Sequence, residues 1–328
     1  MRYSLNCRFR GALLGATFGD LLGVVVQQQR QERTAKKISP AVNWLELDAW
    51  WMEQPALSPS LPTWGTLITK ISHALIECPC PDWQTFSPLV ERHLLRPSSP
   101  GKAINLAIAT LPLALFYHED TRKQRSQLAR ALSTWQAPDL AVELAFALGA
   151  VLSQPLQDGE ASLDALATLQ QDSDLPVLRP LIEQVFQSLT TGHSLGTTLL
   201  QFKRMEPHPT DATSVFTFAL ALYCFLRTPH EFWLSLRTVL GTGLPPRSLG
   251  TLMGAIAGCH SPTVGLSPCL LTGEALSALN TLWGVAAPQE LMLLADQLVA
   301  AWAGVAAPSQ PTALAVIAAP QVIRTFGR

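Results

Sequence analysis

Charged side chains are scarce in this chain. They make up 14% of 328 residues, and 23 Lys and Arg against 24 Asp and Glu leave a formal net charge of −1. A chain with no basic field has little electrostatic hold on a phosphate backbone or an anionic bilayer, which argues against nucleic acid as a partner. The basic residues are dispersed, and the densest group, Arg122, Lys123, Arg125 and Arg130, reads as one solvated helix face. Clean apolar runs of the about 20 residues that a membrane span takes are missing too. The run after Arg8 and Arg10 contains Asp20, residues 212–226 are too few, and 297–323 are broken by Pro308, Pro311 and Pro320. No small-residue cleavage pattern closes the first run, which argues against a secretory leader.

Cysteine is sparse for the length. Cys7, Cys78, Cys80, Cys224, Cys259 and Cys269 do not make a disulfide framework, and a soluble protein of the reducing cytoplasm is expected. Cys78 and Cys80, in CPCP, stand too close together for a zinc site, and no second pair completes one. The seven histidines include no H-x-x-x-H pair, and His73 reads as a core-edge residue. Runs of alternating strand character and Asn-Gly hairpin signals are absent as well.

What remains is helical periodicity. It predicts helices over 8–26, 65–77, 102–117, 124–134, 139–153, 178–190, 212–226, 230–240, 249–259, 272–283 and 288–303. Pro112 falls within 102–117 as a start or a kink. The expected fold is all-α, a single compact multi-helix orthogonal bundle spanning 1–328. Residues 28–61, 154–177 and 304–320 read as the least regular segments. The first holds Trp44, Trp50 and Trp51, which either cap the core or form a patch for a protein partner.

Two glycine stripes stand out. Gly11, Gly15, Gly19 and Gly23 recur every fourth residue in RFRGALLGATFGDLLG, and Gly250, Gly254 and Gly258 do so in GTLMGAIAG. Each costs a helix about 1 kcal/mol against alanine. Small-residue faces let two helix backbones approach closely, against each other or around a flat ligand. A third motif, GHSLG at 192–196, fits the pattern that exposes a nucleophilic serine, here Ser194. That elbow needs a preceding strand, whereas LIEQVFQSLTT has helical period. Gly192 then closes one helix and Ser194 caps the next. The paired acids Asp172 with Asp174 and Glu119 with Asp120 read as loop and cap residues.

The wording of these helices resembles a known family. RGALLGATFGDLLG is similar to the rGallGlaxGDalG helix that opens members of the ADP-ribosylglycohydrolase family. LPTWGTLITKISHALIE stands in the place of the family's WTDDT motif and the helix after it. KAINLAIATLPLALFYHED resembles its buried central helix, DATSVFTFALALYCFLRTPHEFWLSLRTVLGTG a later helix pair, and LGTLMGAIAG the helix that follows its GGDxDT motif. The resemblance is strongest over 8–260. It implies an all-α hydrolase that binds two magnesium ions and cleaves ADP-ribose from a protein side chain or small acceptor. The family's metals sit on the carboxylates of the two aspartate motifs.

Carried over position by position, those carboxylates are missing. Thr63 and Thr66 match the threonines of the first motif, but Trp64 and Gly65 stand where its aspartates belong. In the second, Gly243 keeps a glycine, Pro245 and Arg247 fall at the aspartates and Ser248 at the threonine. A further family acid falls at Gln27, while Asp20 is kept and is expected near the mouth of the pocket. The resemblance therefore implies a degenerate member with no metal cofactor. Its relic cleft is either plugged by Trp64 and Pro245, or open to an ADP-ribose-like molecule through Asp20, Thr63, Trp64, Thr66, Gly243, Arg247 and Ser248. In the open case Arg247 would fork onto a pyrophosphate. The implied role is non-catalytic, a scaffold or regulator binding a protein with 28–61 as the candidate surface; the alternative is an active or residual hydrolase, or a sensor, acting on ADP-ribose or a related nucleotide in the relic cleft.

Overall fold

In the computed structural model, which describes residues 3–35, 64–95, 101–157, 163–205, 211–262 and 273–305, the helical period becomes fifteen α-helices and one 3-10 turn. There is no strand among the described residues. The order is α1 (Leu5–Ala35), α2 (Trp64–Glu77), the 3-10 turn (Trp83–Phe86), α3 (Ser87–His93), α4 (Lys102–Ala109), α5 (Leu111–Phe116), α6 (Thr121–Thr134) and α7 (Asp139–Leu156). Then follow α8 (Leu163–Gln171), α9 (Arg179–Thr190), α10 (Leu195–Arg204), α11 (Ala212–Arg227), α12 (Phe232–Leu240), α13 (Pro246–His260), α14 (Gly273–Trp283) and α15 (Pro288–Trp302).

The glycine stripes meet each other. A Cβ at Gly11 would lie 2.1 Å from the carbonyl oxygen of Gly258, one at Gly15 2.1 Å from that of Gly254, and one at Gly19 1.9 Å from that of Gly250. The clashes are reciprocal, since a Cβ on Gly254 would lie 1.9 Å from the oxygen of Gly15. Each α1 glycine therefore has the α13 backbone as its neighbour, and no flat ligand lies between the helices. The contact holds α1 and α13 antiparallel at the centre of the fold, and α1 also packs on α15.

Three boundaries differ from the sequence expectation, each for a local reason. α1 continues to Ala35 instead of ending near 26, because Arg30 donates to the carbonyls of Leu240 and Leu244 at 2.5 and 2.9 Å. These include the otherwise unpaired C-terminal carbonyl of α12, so a polar segment is tied down as helix. The predicted helix over 102–117 divides at Thr110 into α4 and α5, with Pro112 in the first turn of the second, where its missing N–H costs nothing. The segment 154–177 holds α8, whose Leu166 and Leu169 are buried. Trp44, Trp50 and Trp51 lie outside the described residues. His73 is exposed.

Leu5–Thr34 and Asp139–Leu156 are long and apolar enough to cross a membrane, but 94% and 67% of their most apolar windows are buried within the fold. The GHSLG segment has α9 before it, not a strand. Gly192 takes φ +68°, and Ser194 caps α10 by accepting from the Thr197 N–H at 3.2 Å. Asp120 caps α6, and Asp172 and Asp174 pair with Arg125.

The substitution Gly15→Ala forces the two helix backbones apart and is expected to cost about 3 kcal/mol or more in denaturant unfolding. Gly196→Ala is the contrast. It lies in α10, its Cβ would meet nothing closer than the Ser194 hydroxyl at 3.9 Å, and it should be neutral or stabilising by up to about 1 kcal/mol.

Candidate functional site

The close contact of α1 and α13 brings two charges together inside the protein. Asp20 follows Gly19 on α1. Arg247 lies where Gly23 admits the start of α13, its Cα 2.5 Å from the point a Cβ at 23 would occupy. The Arg247 guanidinium grips both oxygens of Asp20: Nε donates to Oδ1 at 2.9 Å and Nη2 to Oδ2 at 3.2 Å. Trp283, the last residue of α14, adds its indole N–H to Oδ2 at 3.0 Å. Trp64, the first residue of α2, lays its ring against the guanidinium, 4.4 Å from centroid to carbon. Asp20 and Trp283 are 0% exposed, Trp64 1% and Arg247 3%.

These four side chains form a closed, charge-balanced unit. Burial pushes the Asp20 carboxyl above its ordinary range, and the Arg247 charge, the Arg247 hydrogen bonds and the Trp283 hydrogen bond pull it back. A cation stacked on tryptophan away from water gains about 2 kcal/mol. Gly65 completes the fit, because a Cβ there would lie 2.6 Å from the Trp283 indole. The threonines of α2 hold that indole from behind: Thr66 donates to the Leu282 carbonyl at 3.1 Å and Thr69 to the Trp283 carbonyl at 3.0 Å.

Of the residues singled out from sequence, Asp20, Trp64 and Arg247 converge. Asp20 is wholly buried, not at the mouth of a pocket. The fork of Arg247, expected to face a pyrophosphate in an open cleft, is turned onto Asp20 instead. Thr66, two residues on from Trp64, makes a structural bond to the Leu282 carbonyl. Ser248 points elsewhere, donating to Asn105 Oδ1 on α4 at 2.7 Å. Gly243 is in an exposed turn with φ +91° and nothing near it, and Thr63 lies outside the described residues. Trp283 was not a sequence candidate, although it is central here. Its only advance signal was Gly65, a side chain missing where the family resemblance expects an aspartate.

A magnesium pair does not fit these residues. Both oxygens of the one carboxylate present already accept from Arg247 and Trp283, and a guanidinium stands where cation ligands would be needed. Among the described residues no three His, Cys, Asp or Glu side chains gather as a metal-holding group. Two donors in the unit are left over: Arg247 Nη1 and Trp64 Nε1 are buried with no acceptor.

Replacing Arg247 by Met leaves the carboxylate uncompensated and is expected to cost about 3–5 kcal/mol, while the double change Asp20→Leu with Arg247→Met recovers most of that. The loss in the single variant grows with pH. Its folded state holds a proton on the raised Asp20 that the unfolded chain releases near pH 4, so stability falls as pH rises above that value. Urea unfolding at pH 5 and pH 8 measures both effects.

With the geometry in place, comparison with known proteins supplies the lineage. The model of the family described as ADP-ribosylglycohydrolase matches residues 46–308. The match begins after α1 and runs beyond residue 260, where the motif resemblance stops. A comparison with curated proteins finds no match. A match over residues 46–308 covers most of the chain, and the chain belongs to the ADP-ribosylglycohydrolase family.

Proposed function

We propose that this chain is a non-hydrolytic member of its family, acting as a protein-binding or regulatory scaffold. One observation carries the reading. Arg247, at a position where the family resemblance expects a metal-binding aspartate, is bonded to Asp20 and stacked on Trp64, at another such position. A fixed positive charge has taken over the electrostatic role of a divalent ion. It neutralises Asp20, yet it offers no open coordination site to polarise a leaving oxygen or orient a ribose. The partner surface falls to residues 28–61, of which 28–35 are the C-terminal part of α1, with Gln31, Glu32 and Thr34 exposed.

A second reading has its own observation. The unpartnered donors Arg247 Nη1 and Trp64 Nε1 could receive the oxygens of an ADP-ribose-like molecule if Trp64 swung aside.

Calorimetry with ADP-ribose, with and without millimolar magnesium, separates these, alongside an assay for ADP-ribose release from a modified protein. The expected outcome is no release, no magnesium-dependent heat and no change of Tm with magnesium or EDTA. Metal-free binding of ADP-ribose that is weakened in Trp64→Phe establishes the second reading. Magnesium-dependent release overturns both.

A further inference from the structure

Where the end of α15 meets the start of α6 there is a cavity of about 300 Å³. It shares no lining residue with the Asp20–Arg247 unit. Phe116, Tyr117 and Trp302 give it an aromatic wall. Tyr117 is held in place, because its hydroxyl donates to the Pro79 carbonyl and its ring meets Phe116 edge-on at 5.1 Å. Trp302, half-buried, rests against the His118 ring at 5.0 Å between centroids. His118 is fixed in turn, its Nδ1 donating to the Leu115 carbonyl at 2.7 Å and its ring edge-on to Phe9 at 5.7 Å. Burial pushes the His118 imidazole down to about 4, so at neutral pH no positive charge stands behind Trp302.

The polar part of the wall is mostly negative. Glu119 and Asp120 are exposed beside the rings. Asp120 is partly engaged, since it caps α6 by accepting from the Lys123 N–H at 3.0 Å. Glu119 has no ion pair among the described residues. α15 also closes here. Gly304, in the wall, takes φ +72°, and the N–H groups of Gly304 and Val305 turn back to the carbonyls of Ala301 and Ala300 at 3.1 and 2.9 Å. That turn leaves the negative end of the α15 dipole at the cavity. Against these stands Lys123, whose Nζ lies 5.3 Å from the centre of the Tyr117 ring.

We propose that this cavity binds a small organic cation of the alkylammonium class, its methyl groups against the Tyr117 and Trp302 rings and its charge toward Glu119. The faces of aromatic rings attract a cation whose charge is spread over carbon, and such rings are the usual recognition surface for quaternary ammonium groups. Lys123 shows the preference directly, since the chain's own ammonium already lies over the Tyr117 ring. A bound ligand takes that place, and Lys123, exposed and unbranched, swings into solvent. A metal ion is a poor alternative, because aromatic walls offer it no ligands and no three His, Cys, Asp or Glu gather among the described residues. An anion would meet Glu119, Asp120 and the helix end with one lysine to offset them. The volume is at the low end for ligand pockets, which sets the size of the guest.

The test is calorimetry of the full chain with choline and with 3,3-dimethylbutan-1-ol, the uncharged carbon analogue of the same shape. The expected result is one choline bound per chain and at least about tenfold weaker binding of the analogue. Glu119→Gln should weaken choline by about threefold, the scale of one exposed charge. Lys123→Met should strengthen it by about as much, because it removes a competing ammonium from the Tyr117 ring. Both side chains are exposed, so these variants should fold, which far-UV circular dichroism checks. A gain of affinity in Lys123→Met is a result that damage to the fold does not produce. Three results overturn the site: no heat with choline at tens of millimolar, equal binding of the uncharged analogue, or choline binding that neither Glu119→Gln nor Lys123→Met changes.

Discussion

Everything at the centre of this protein depends on α1 and α13 touching backbone to backbone. Helices that present ordinary side chains to one another stay 8–10 Å apart. Here the carbonyl of each stripe glycine occupies the space where the facing glycine would carry its Cβ. That closeness explains four glycines in one helix, each costly by local propensity. It also decides the chemistry nearby. It sets the backbone of Arg247 against Gly23, three residues along α1 from the Asp20 that its guanidinium grips.

The residues around this contact make sense only together. An aspartate at 64 or 65 without a bound cation would bury an unpaired charge, a severe cost in an apolar interior. With tryptophan at 64 the same volume supports a cation instead of repelling an anion. With glycine at 65 the Trp283 indole can lie flat against α2 and give its N–H to Asp20. Arg247 then supplies a positive charge that is part of the chain and cannot dissociate. An acid placed at one of these positions alone meets the others: Gly65→Asp collides with Trp283, and a carboxylate at 247 would face Asp20 directly.

Much of this architecture was legible beforehand, and what was not has identifiable causes. The four-residue glycine spacing announced a close helix pair, and the long periodic runs gave most helices to within a few residues. Short helices were missed: α3 and α8 lie in stretches too short for a period to declare itself, α10 was signalled only by its cap Ser194, and α1 was cut short because the bonds from Arg30 to Leu240 and Leu244 are invisible in a local window. For the site, Asp20, Trp64 and Arg247 were found by their place in motifs. Trp283 was not, since it meets Asp20 across 263 residues and no motif marks it. Gly243 shows the opposite error. It keeps a family position but sits in an exposed turn, where its φ of +91° accounts for glycine without any ligand.

A glycine stripe creates closeness but does not fix which residues meet. Because both stripes repeat every four residues, sliding α13 by one turn would pair Gly15 with Gly258, Gly19 with Gly254 and Gly23 with Gly250, and three glycine contacts would survive. Such a slide moves a helix about 6 Å along its axis. It would carry Arg247 away from Asp20 and into the apolar run that includes Val24, Val25 and Val26, leaving two uncompensated charges in the core. The ion pair thus penalises the neighbouring register far more than it stabilises the native one, in the way a single polar residue sets register in a coiled coil. On this view the buried pair is kept for specificity. The stripe sets the distance between the helices, the pair sets their alignment, and the two tryptophans follow from both.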